Sequence, residues 1–561
     1  MTFNWSNPYS VTRSPVFARN VVATSHPLAA QAGLTMLQRG GNAVDAAVAT
    51  AAAMTIVEPV SNGLGSDCFA LVWDPARSPS DRLQGLNASG VAPAAWNVDY
   101  FERKYGGVFP MRGWDAVTVP GCVAGWAALS RRFGTLPFGD LIAPAIDLAA
   151  RGHGVAPIVA QKWALQVPVM QAQPGFAESF MPRGRAPLPG ERFVFGDAAA
   201  TLATIARTHG ESFYRGEIAE RLIAHSAAHG GAMTLSDLAN FEVDWVTPIA
   251  KACTSANGSR YALHEIPPNG QGIAALMALG MVEQLAEQLG FGRDPVDSVE
   301  TQHLLIEAMK LAFADVYRYV ADHRHMTEVT TAHLLDDSYL ASRARLIDAS
   351  RASDALSGVP QQFVRPGGTI YLATADAGGM MVSLIQSNYM GFGSGVVVPG
   401  TGISLQNRGH CFSLTRSHPN VVAGGKRPFH TIIPGFLTRE IDGTSLPQMS
   451  FGVMGGNMQP QGHLQTLIRM LKYGQQPQAA CDAPRWKVNA SASASTTVDT
   501  EKTMAAELRQ ALIDRGHIIE SIADPYMDFG SGQFIWKLSD DAEDGYVAAS
   551  DSRRDGQAVG F

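Results

Sequence analysis

Apolar residues recur along the chain in two spacings, one helical and one alternating, and together they predict a fold of mixed helices and strands. The segment from Ala43 to Val57 is apolar almost all round, as is typical of a buried helix, and Asn42 can cap its start. From Val299 to Val320 apolar residues follow helical spacing over a longer distance, which predicts a second long helix. Because strands are dispersed among such helices, the pattern favours a layered α/β or α+β fold.

The second half of the chain contains the pattern of a β-hairpin. β-branched and aromatic residues are dense from Thr369 to Asp376, and another apolar stretch runs from Met380 to Ser387. The intervening sequence Asp-Ala-Gly-Gly is typical of a turn. The first strand therefore opens on a threonine that directly follows two glycines, Gly367 and Gly368.

A threonine in this position can act on its own chain. Its Oγ can attack the carbonyl of Gly368 and move the acyl group from nitrogen to oxygen, which leaves an ester for water to hydrolyse. The new N-terminal Thr369 would then carry a nucleophile and, in its own α-amine, a base with an unperturbed pKa of about 7.7–8.0. A glycine at 368 tolerates the unusual backbone angles of a bent scissile bond. The same residues also fit an ordinary Gly-Gly turn before a strand, and taken alone they favour that interpretation.

Two further segments carry candidate chemistry. The segment from Lys426 to Pro434 places two cations and two hydrogen-bonding side chains beside a predicted strand. Gly455 and Gly456 end another strand, before a helix that we predict to begin near His463. Successive backbone N–H groups at such a glycine pair can hold a developing oxyanion.

One pair in the long helix has the spacing of metal ligands. His303 and Glu307 are one helical turn apart, but no third ligand is near them in sequence. We therefore interpret them as an exposed, hydrogen-bonded pair, and we expect neither a metal nor a cofactor.

Composition and charge narrow the class of protein. Of 561 residues, 46% are hydrophobic and 17% are charged, as in ordinary globular proteins, and the net charge of −7 gives no basic surface for nucleic acid. The five cysteines form no CxxC pair, which indicates buried thiols in a reducing compartment. The N-terminal residues lack a signal-peptide pattern, and the longest apolar run, Ala46 to Val57, is shorter than the roughly 20 residues of a spanning helix. We expect a cytoplasmic protein that binds neither nucleic acid nor membrane.

Several segments, in order along nearly the whole chain, resemble the γ-glutamyltransferase family. They are Gly40-Gly-Asn-Ala-Val-Asp-Ala-Ala-Val48, Val117-Thr-Val-Pro-Gly121, Glu307-Ala-Met-Lys-Leu-Ala-Phe-Ala-Asp315, Gly367-Gly-Thr369, Met454-Gly-Gly-Asn457 and the last residues from Ala549 to Phe561. The resemblance implies an N-terminal-nucleophile hydrolase with an α+β fold, a four-layer αββα sandwich. It also implies a precursor that cuts itself before Thr369, which leaves a large fragment of residues 1–368 and a small fragment of residues 369–561. These would form a heterodimer or a pair of such heterodimers.

The resemblance assigns roles to individual positions. Thr369 matches the nucleophile, and Ser387 matches a hydroxyl residue, usually threonine in the family, that hydrogen-bonds the nucleophile. Gly455 and Gly456 match the glycines of the oxyanion hole. Thr431 matches the second of two adjacent serines that contact the substrate, whereas His430 replaces the first.

The departures from the family pattern concern the substrate. Glutamyl enzymes bind the α-carboxylate with an arginine where this chain has Ser89, and the α-amine with an aspartate where this chain has Cys411. A cation, Arg408, stands where the family usually has a neutral amide. Arg408, Lys426 and His430 would suit a small anionic substrate without an α-amine. We expect Arg408 to hold the substrate carboxylate through its planar fork of donors, and we expect self-cleavage not to need it.

Three segments narrow the resemblance to the branch of oxamate amidohydrolase and the glutathione-hydrolase-like proteins. They are Gly63-Leu-Gly-Ser-Asp-Cys68, Ile385-Gln-Ser-Asn-Tyr-Met-Gly-Phe-Gly-Ser-Gly395 and Gln406-Asn-Arg-Gly-His410. The expected reaction is hydrolysis of oxamate or a similar small anionic amide through an acyl-enzyme. Two other activities stay open: hydrolysis or transfer of γ-glutamyl groups, as in glutathione, and the deacylation that cephalosporin (glutaryl) acylases perform. The non-enzymatic alternative is a homologue that is not processed and acts as a scaffold.

Overall fold

Two seven-stranded antiparallel sheets lie at the centre of the fold in the computed structural model, which describes residues 9, 13–286, 294–355, 367–489, 496–522 and 529–561. In spatial order the first sheet contains Val16–Ala18 (β1), Tyr546–Ser550 (β20), Ser531–Lys537 (β19), Thr444–Met454 (β15), Gly435–Ile441 (β14), Arg260–Glu265 (β9) and Ile249–Thr254 (β8). The second contains Gln557–Gly560 (β21), Val21–Thr24 (β2), Gly367–Ala375 (β10), Met381–Met390 (β11), Asp67–Trp73 (β3), Leu83–Ala88 (β4) and Asp244–Val246 (β7). Three smaller sheets contain His153–Gly154 (β5) and Arg192–Phe193 (β6), Val397–Val398 (β12) and Ile403–Ser404 (β13), and Trp486–Asn489 (β16), Thr497–Glu501 (β17) and Ile518–Ile522 (β18).

The alternation of side chains in β10 shows how the layers are built. Ile370 and Leu372 pack into a core that the helices of one outer layer complete. Tyr371, Ala373 and Ala375 point the other way, into a core formed by residues of both large sheets. Both faces of this strand are therefore buried, which explains why its sequence is a continuous apolar run instead of a polar–apolar alternation.

Helices cover the outer face of each sheet. The layer on the second sheet contains Pro27–Gln38 (α1), Ala43–Val57 (α2), Cys122–Phe133 (α4), Phe138–Arg151 (α5), Pro157–Met170 (α6), Phe176–Phe180 (α7), Gly196–Thr208 (α8), Glu211–Arg215 (α9), Glu217–Ala228 (α10) and Leu235–Ala239 (α11). The layer on the first contains Gly272–Gln284 (α12), Val299–Tyr319 (α13), Thr331–Leu335 (α14), Asp337–Ala344 (α15), Met458–Tyr473 (α16), Pro477–Asp482 (α17) and Ala506–Asp514 (α18). Val98–Tyr105 (α3) packs in a separate small cluster. The order helix, sheet, sheet, helix confirms the predicted αββα sandwich.

Most predicted elements are present with small changes at their ends. Helix α2 has the predicted bounds because Asn42 and Asp45 form a capping box at its start. The predicted hairpin is β10 and β11, paired antiparallel. The helix after Gly456 begins at Met458, five residues before the predicted start. Residues 356–366 of the polar stretch before Thr369 lie outside the described residues.

Two further observations concern compartment and membrane. All five cysteines are free and buried, as predicted. Within the described ranges, none of the helices combines the length and apolar character that crossing a bilayer requires.

Candidate active site

Three polar side chains form a row across neighbouring strands of the second sheet. Thr369 in β10 pairs with Ser387 in β11, and Ser387 pairs in turn with Asp67 in β3. Because side chains alternate along a strand, all three share the face of Tyr371, which packs on the first sheet. The three residues are at most 2% exposed. The register therefore places two hydroxyls and a carboxylate together between the sheets.

The peptide bond between Gly368 and Thr369 lies at an irregularity of the hairpin. Gly368 pairs with Tyr389 whereas Thr369 pairs with Ser387, so Asn388 is an extra residue without a partner on β10. Tyr389 has a φ of +74°, which is rare for a residue other than glycine. The local backbone is therefore distorted at the bond that was predicted to be cut.

Gly368 lies where a side chain has no space. A Cβ atom at this position would lie 2.8 Å from the carbonyl oxygen of Met390 and 3.0 Å from that of Val60. Gly368 is not among the described glycines with positive φ. The structure thus adds a steric reason for glycine here, since the neighbouring strand and the 58–66 loop leave no room for a side chain.

The Ser387 hydroxyl lies between the nucleophile and the carbonyl before it. Its Oγ is 2.9 Å from the Oγ1 of Thr369, and it donates a hydrogen bond of 2.7 Å to the carbonyl oxygen of Gly368. It also accepts from the backbone N–H of Tyr389 at 2.8 Å. One hydroxyl therefore contacts both the predicted attacking group and the predicted site of attack.

Arg408 lies beside this hydroxyl, fully buried. Its Nε donates to Asp67 at 3.2 Å, its Nη1 to the Oγ1 of Thr431 at 2.8 Å, and its Nη2 to the Oγ of Ser387 at 3.3 Å. The guanidinium also stacks over the ring of Tyr389, 4.7 Å from its centroid. The structure thus brings Arg408 and Thr431 to the predicted site, but Asp67 already balances the charge of the arginine.

Asp67 joins Arg408 to His430. Its Oδ2 accepts from the His430 Nε2 at 2.9 Å, and its Oδ1 accepts from the backbone N–H of Gly90. Burial alone would raise the pKa of Asp67, but His430 and the Arg408 guanidinium lower it below its usual value. Burial, aided by the charge of Arg408, lowers the pKa of His430 to about 4. Because Ile432 N–H donates to Nδ1, the neutral ring carries its proton on Nε2, facing the Asp67 carboxylate.

The glycine pair lies directly after β15. Both residues have a backbone conformation that only glycine adopts readily. Gly455 has a φ of +131° and Gly456 a φ of +61°. The side-chain amide of Gln271 donates to the carbonyl of Gly456 at 2.8 Å and to that of Thr431 at 2.6 Å. In the described part of the chain, no backbone hydrogen bond of the turns and loops uses the N–H of either glycine. Among the described residues the two amides are therefore available as donors, and Gln271 joins the Gly456 carbonyl to that of Thr431.

A model of one protein family, gamma-glutamyltranspeptidase, matches residues 29–561. The chain belongs to this family. The match confirms the resemblance drawn from the sequence motifs, and it makes the protein an amide-hydrolysing enzyme of the N-terminal-nucleophile class. It does not support the alternative of a scaffold without catalytic activity.

Similar proteins in the family carry several different activities in their names. The chain is 34% identical to the glutathione hydrolase-like YwrD proenzyme of Bacillus subtilis, over 98% of this chain and 100% of the relative. It is also 34% identical to the oxamate amidohydrolase proenzyme of Klebsiella pneumoniae, over 98% of this chain and 99% of the relative. The crystal structure of cephalosporin acylase from Bacillus halodurans superposes with a TM-score of 0.87 and 44% identity, covering 100% of this chain and 99% of the other.

The two positions that depart from the glutamyl members of the family both hold neutral groups. The Ser89 hydroxyl is buried and bonded to the side chains of Asn87 and Asn269. Burial raises the pKa of the Cys411 thiol to about 11, despite the nearby Arg408 guanidinium, so the thiol is neutral at pH 7. Neither position can supply the charge that a glutamate end requires.

Lys426 was predicted beside the substrate, and in the structure its ammonium has partners within the protein. Its ammonium donates to the backbone carbonyls of Pro419 and Val421, inside its own loop. Burial lowers the pKa of Lys426 to about 8. These two hydrogen bonds stabilise the loop. Among the described residues, Lys426 has no hydrogen bond to Thr369, Ser387 or Thr431.

Sequence reasoning missed Asp67 and Gln271. Asp67 stood in the segment from Gly63 to Cys68 without a role of its own, and in the structure it is the first residue of β3. A carboxylate directly before six apolar strand residues is a signal for a buried charge with a partner. Gln271 had no such signal, because its side-chain amide donates to backbone carbonyls that are far away in sequence.

The helix pair His303 and Glu307 is buried, which contradicts the exposed pair that was predicted. The two residues and His517 form the one group in the described ranges with the spacing of three metal ligands. However, the Lys310 ammonium donates to Glu307 at 2.8 Å and approaches His517 at 3.3 Å. A cation of the protein therefore already balances the carboxylate, and we assign no metal to this cluster.

Proposed function

We propose that this enzyme frees Thr369 by cutting its own chain after Gly368, and then uses Thr369 to hydrolyse a small anionic amide of the oxamate type. The observation that carries the proposal is the Ser387 hydroxyl, 2.9 Å from the Thr369 Oγ1 and hydrogen-bonded to the Gly368 carbonyl. The attacking oxygen, the carbonyl and a hydrogen-bond donor to that carbonyl are thus in one place. The word "proenzyme" in the names of both curated relatives agrees with it.

Self-cleavage leaves fragments that the sheets hold together. The large fragment, 1–368, would contribute β2 and β3 to the second sheet, where they pair with β10 and β11 of the small fragment, 369–561. In the first sheet β9 of the large fragment pairs with β14 of the small one. Because each large sheet contains strands of both fragments in direct pairing, the fragments would stay together as a heterodimer.

In the processed enzyme the Thr369 Oγ1 attacks the substrate carbonyl while its own α-amine takes the proton. The open amides of Gly455 and Gly456 would stabilise the tetrahedral oxyanion. The amide nitrogen leaves with a proton, and water then hydrolyses the ester to regenerate the hydroxyl. Each step uses groups of the chain and water, without a cofactor.

Neutral side chains at both glutamyl-recognition positions favour a substrate without an α-amine. An ammonium group facing the neutral thiol of Cys411 would lose its hydration without gaining a charged partner. Arg408 has one partner, Ser387, for the two hydrogens of Nη2 in the described residues, which leaves one N–H for a substrate carboxylate. Thr431 and His430 would line the same position. This is a single contact, weaker than the bidentate grip expected of a free arginine.

A cephalosporin (glutaryl) acylase is the second candidate. It is favoured by the 44% identity to the Bacillus halodurans cephalosporin acylase over the whole chain. A glutaryl group also has a carboxylate and no α-amine, so the departures at Ser89 and Cys411 fit it as well.

A panel of oxamate, glutathione and a glutaryl amide separates the candidates. Because a hydrogen bond to a charged group contributes about 1.5–3 kcal/mol, loss of both glutamyl contacts should lower kcat/KM for glutathione by about 100-fold or more relative to oxamate. Highest kcat/KM on the glutaryl amide would favour the second candidate. A preference for glutathione would contradict both.

Ser387→Ala should slow self-cleavage strongly while the chain still folds. Without the hydroxyl, the Gly368 carbonyl loses the donor that stabilises negative charge on its oxygen, a loss that typically costs about 10²–10³ in rate. The matched control is Ser383→Ala, which removes another buried hydroxyl of β11 that contacts Tyr371 and Phe451 instead. Time courses of cleavage on gels should separate the two variants, and equal rates would show that Ser387 does not act on the scissile carbonyl.

A further inference from the structure

The donors around the Ser387 hydroxyl restrict the direction of its hydrogen. A hydroxyl has one hydrogen and two acceptor lone pairs. The N–H of Tyr389, at 2.8 Å, and the Nη2 of Arg408, at 3.3 Å, both donate to this oxygen. With both lone pairs used, the hydrogen must point at an acceptor. Two acceptors are in reach, the Thr369 Oγ1 at 2.9 Å and the Gly368 carbonyl oxygen at 2.7 Å, and the carbonyl makes the shorter contact.

Arg408 is one of these two donors, and Asp67 determines where it lies. Asp67 and Arg408 are both completely buried, 3.2 Å apart. The carboxylate is itself fixed by the Gly90 N–H and by His430. A buried guanidinium needs such a partner, because an unpaired buried charge is strongly unfavourable. The position of Nη2 beside Ser387 thus depends on the Asp67 carboxylate, which holds the adjacent Nε of the same guanidinium.

We infer that Asp67 and Arg408 are positioning residues for self-cleavage, which aim the Ser387 hydroxyl at the Gly368 carbonyl. The inference rests on the proposed cleavage between Gly368 and Thr369. The sequence had given Arg408 a role in substrate binding and had given Asp67 no role. The inference adds a role in self-cleavage for both.

The pair acts on the first step of the reaction. The Thr369 Oγ1 bonds to the carbonyl carbon of Gly368, and the carbonyl oxygen takes the negative charge while it accepts the Ser387 hydrogen bond. The bond from that carbon to the Thr369 nitrogen then breaks, and the proton of the threonine hydroxyl ends on this nitrogen. Water hydrolyses the resulting ester to a Gly368 carboxylate and a free hydroxyl. Arg408 favours the charged intermediate through Ser387, since its positive charge lies next to the donor oxygen.

This role reverses one expectation from the sequence. Arg408 was expected to be dispensable for self-cleavage because no external carboxylate takes part. The hydrogen bond from Arg408 to Ser387 instead predicts that losing the guanidinium slows the cleavage, whatever its effect on substrate.

The test uses full-length chains made by cell-free translation, with cleavage followed on gels over time. The main variant is Asp67→Asn with Arg408→Gln, which removes both charges and leaves no unpaired buried ion. We expect cleavage to slow by about 10- to 100-fold. Arg343→Gln with Asp315→Asn is the matched control, because it removes another ion pair, of 3.0 Å, outside the site. The control should cleave at the wild-type rate.

A double-mutant cycle distinguishes positioning from a general loss of structure. If the pair acts through Ser387, adding its two substitutions to Ser387→Ala should slow cleavage by less than about 3-fold further. A structural effect would multiply with the loss of the hydroxyl. Should the double substitution prevent folding, judged by circular dichroism, Arg408→Lys replaces it in the cycle. That variant keeps the charge but loses the Nη2 contact, and it should also slow cleavage.

The outcomes separate this inference from the proposed function. A wild-type chain that stays whole would overturn the self-cleavage itself. A wild-type chain that cleaves, beside folded variants that cleave equally fast or whose effects multiply with Ser387→Ala, would overturn the positioning role alone. Normal cleavage with a raised KM in the Arg408→Lys enzyme would return Arg408 to substrate binding only.

Discussion

Thr369→Ala should remain a single chain of 59.7 kDa with no measurable amidase activity. The substitution removes the only atom of residue 369 that can attack the Gly368 carbonyl, so neither the ester intermediate nor the free α-amine can form. Its effect should exceed that of any other substitution in the site, because processing and turnover depend on the same oxygen. Denaturing gels and intact mass measure the first effect, and ammonia release from oxamate measures the second.

Thr374→Ala is the control for this experiment. Thr374 lies in the same strand, is equally buried, and donates its hydroxyl to the carbonyl of Ala43 at 2.6 Å. Loss of that bond should reduce the free energy of unfolding by about 1 kcal/mol and leave cleavage intact. Two fragments from Thr369→Ala, cut at the same bond, would rule out Thr369 as the nucleophile.

Gly455→Ala should lower kcat by about 10²–10³ with a smaller change in KM, if the amides of the glycine pair hold the oxyanion. At a φ of +131° an alanine is strained. Its Cβ would also lie 2.9 Å from the Cα of Gly530. The backbone must therefore shift, and with it the direction of the two N–H groups. Steady-state kinetics of the processed enzyme give both constants.

Gly443→Ala provides a matched control at the other end of β15. Gly443 also has positive φ, +76°, but no atom lies within 4 Å of an added Cβ. It should lose some stability, by about 1 kcal/mol or more from backbone strain, and keep its kcat. If Gly455→Ala folds and retains the wild-type kcat, the oxyanion is held elsewhere.

The sequence predicted elements well where local signals and burial agree. Helix α2 begins with a capping box at Asn42 and is buried on every side, so both its start and its nearly apolar sequence were readable. The hairpin of β10 and β11 was readable because its turn residues separate two apolar strands. The start of α16 was missed because its first five residues include Pro460 and Gly462, which resemble a continuing loop.

The site was only partly predictable, because some of its residues contact partners that are far away in sequence. Thr369 and Ser387 belong to one hairpin, so their pairing follows from its register. The partner of Arg408 is Asp67, 341 residues earlier, and no local pattern predicts that contact. The motifs could place Arg408 near the site, but they could not show that its charge is already balanced. The partners of Lys426 were unpredictable for the same reason, since they are backbone carbonyls that have no signature in sequence.

The N-terminal sequence and intact masses of the purified wild-type protein test the central claim most directly. Self-cleavage by Thr369 predicts two chains, of which the shorter begins Thr-Ile-Tyr-Leu at position 369 and the longer ends at Gly368. A single chain of 59.7 kDa, or a shorter chain that begins at any other residue, would contradict it.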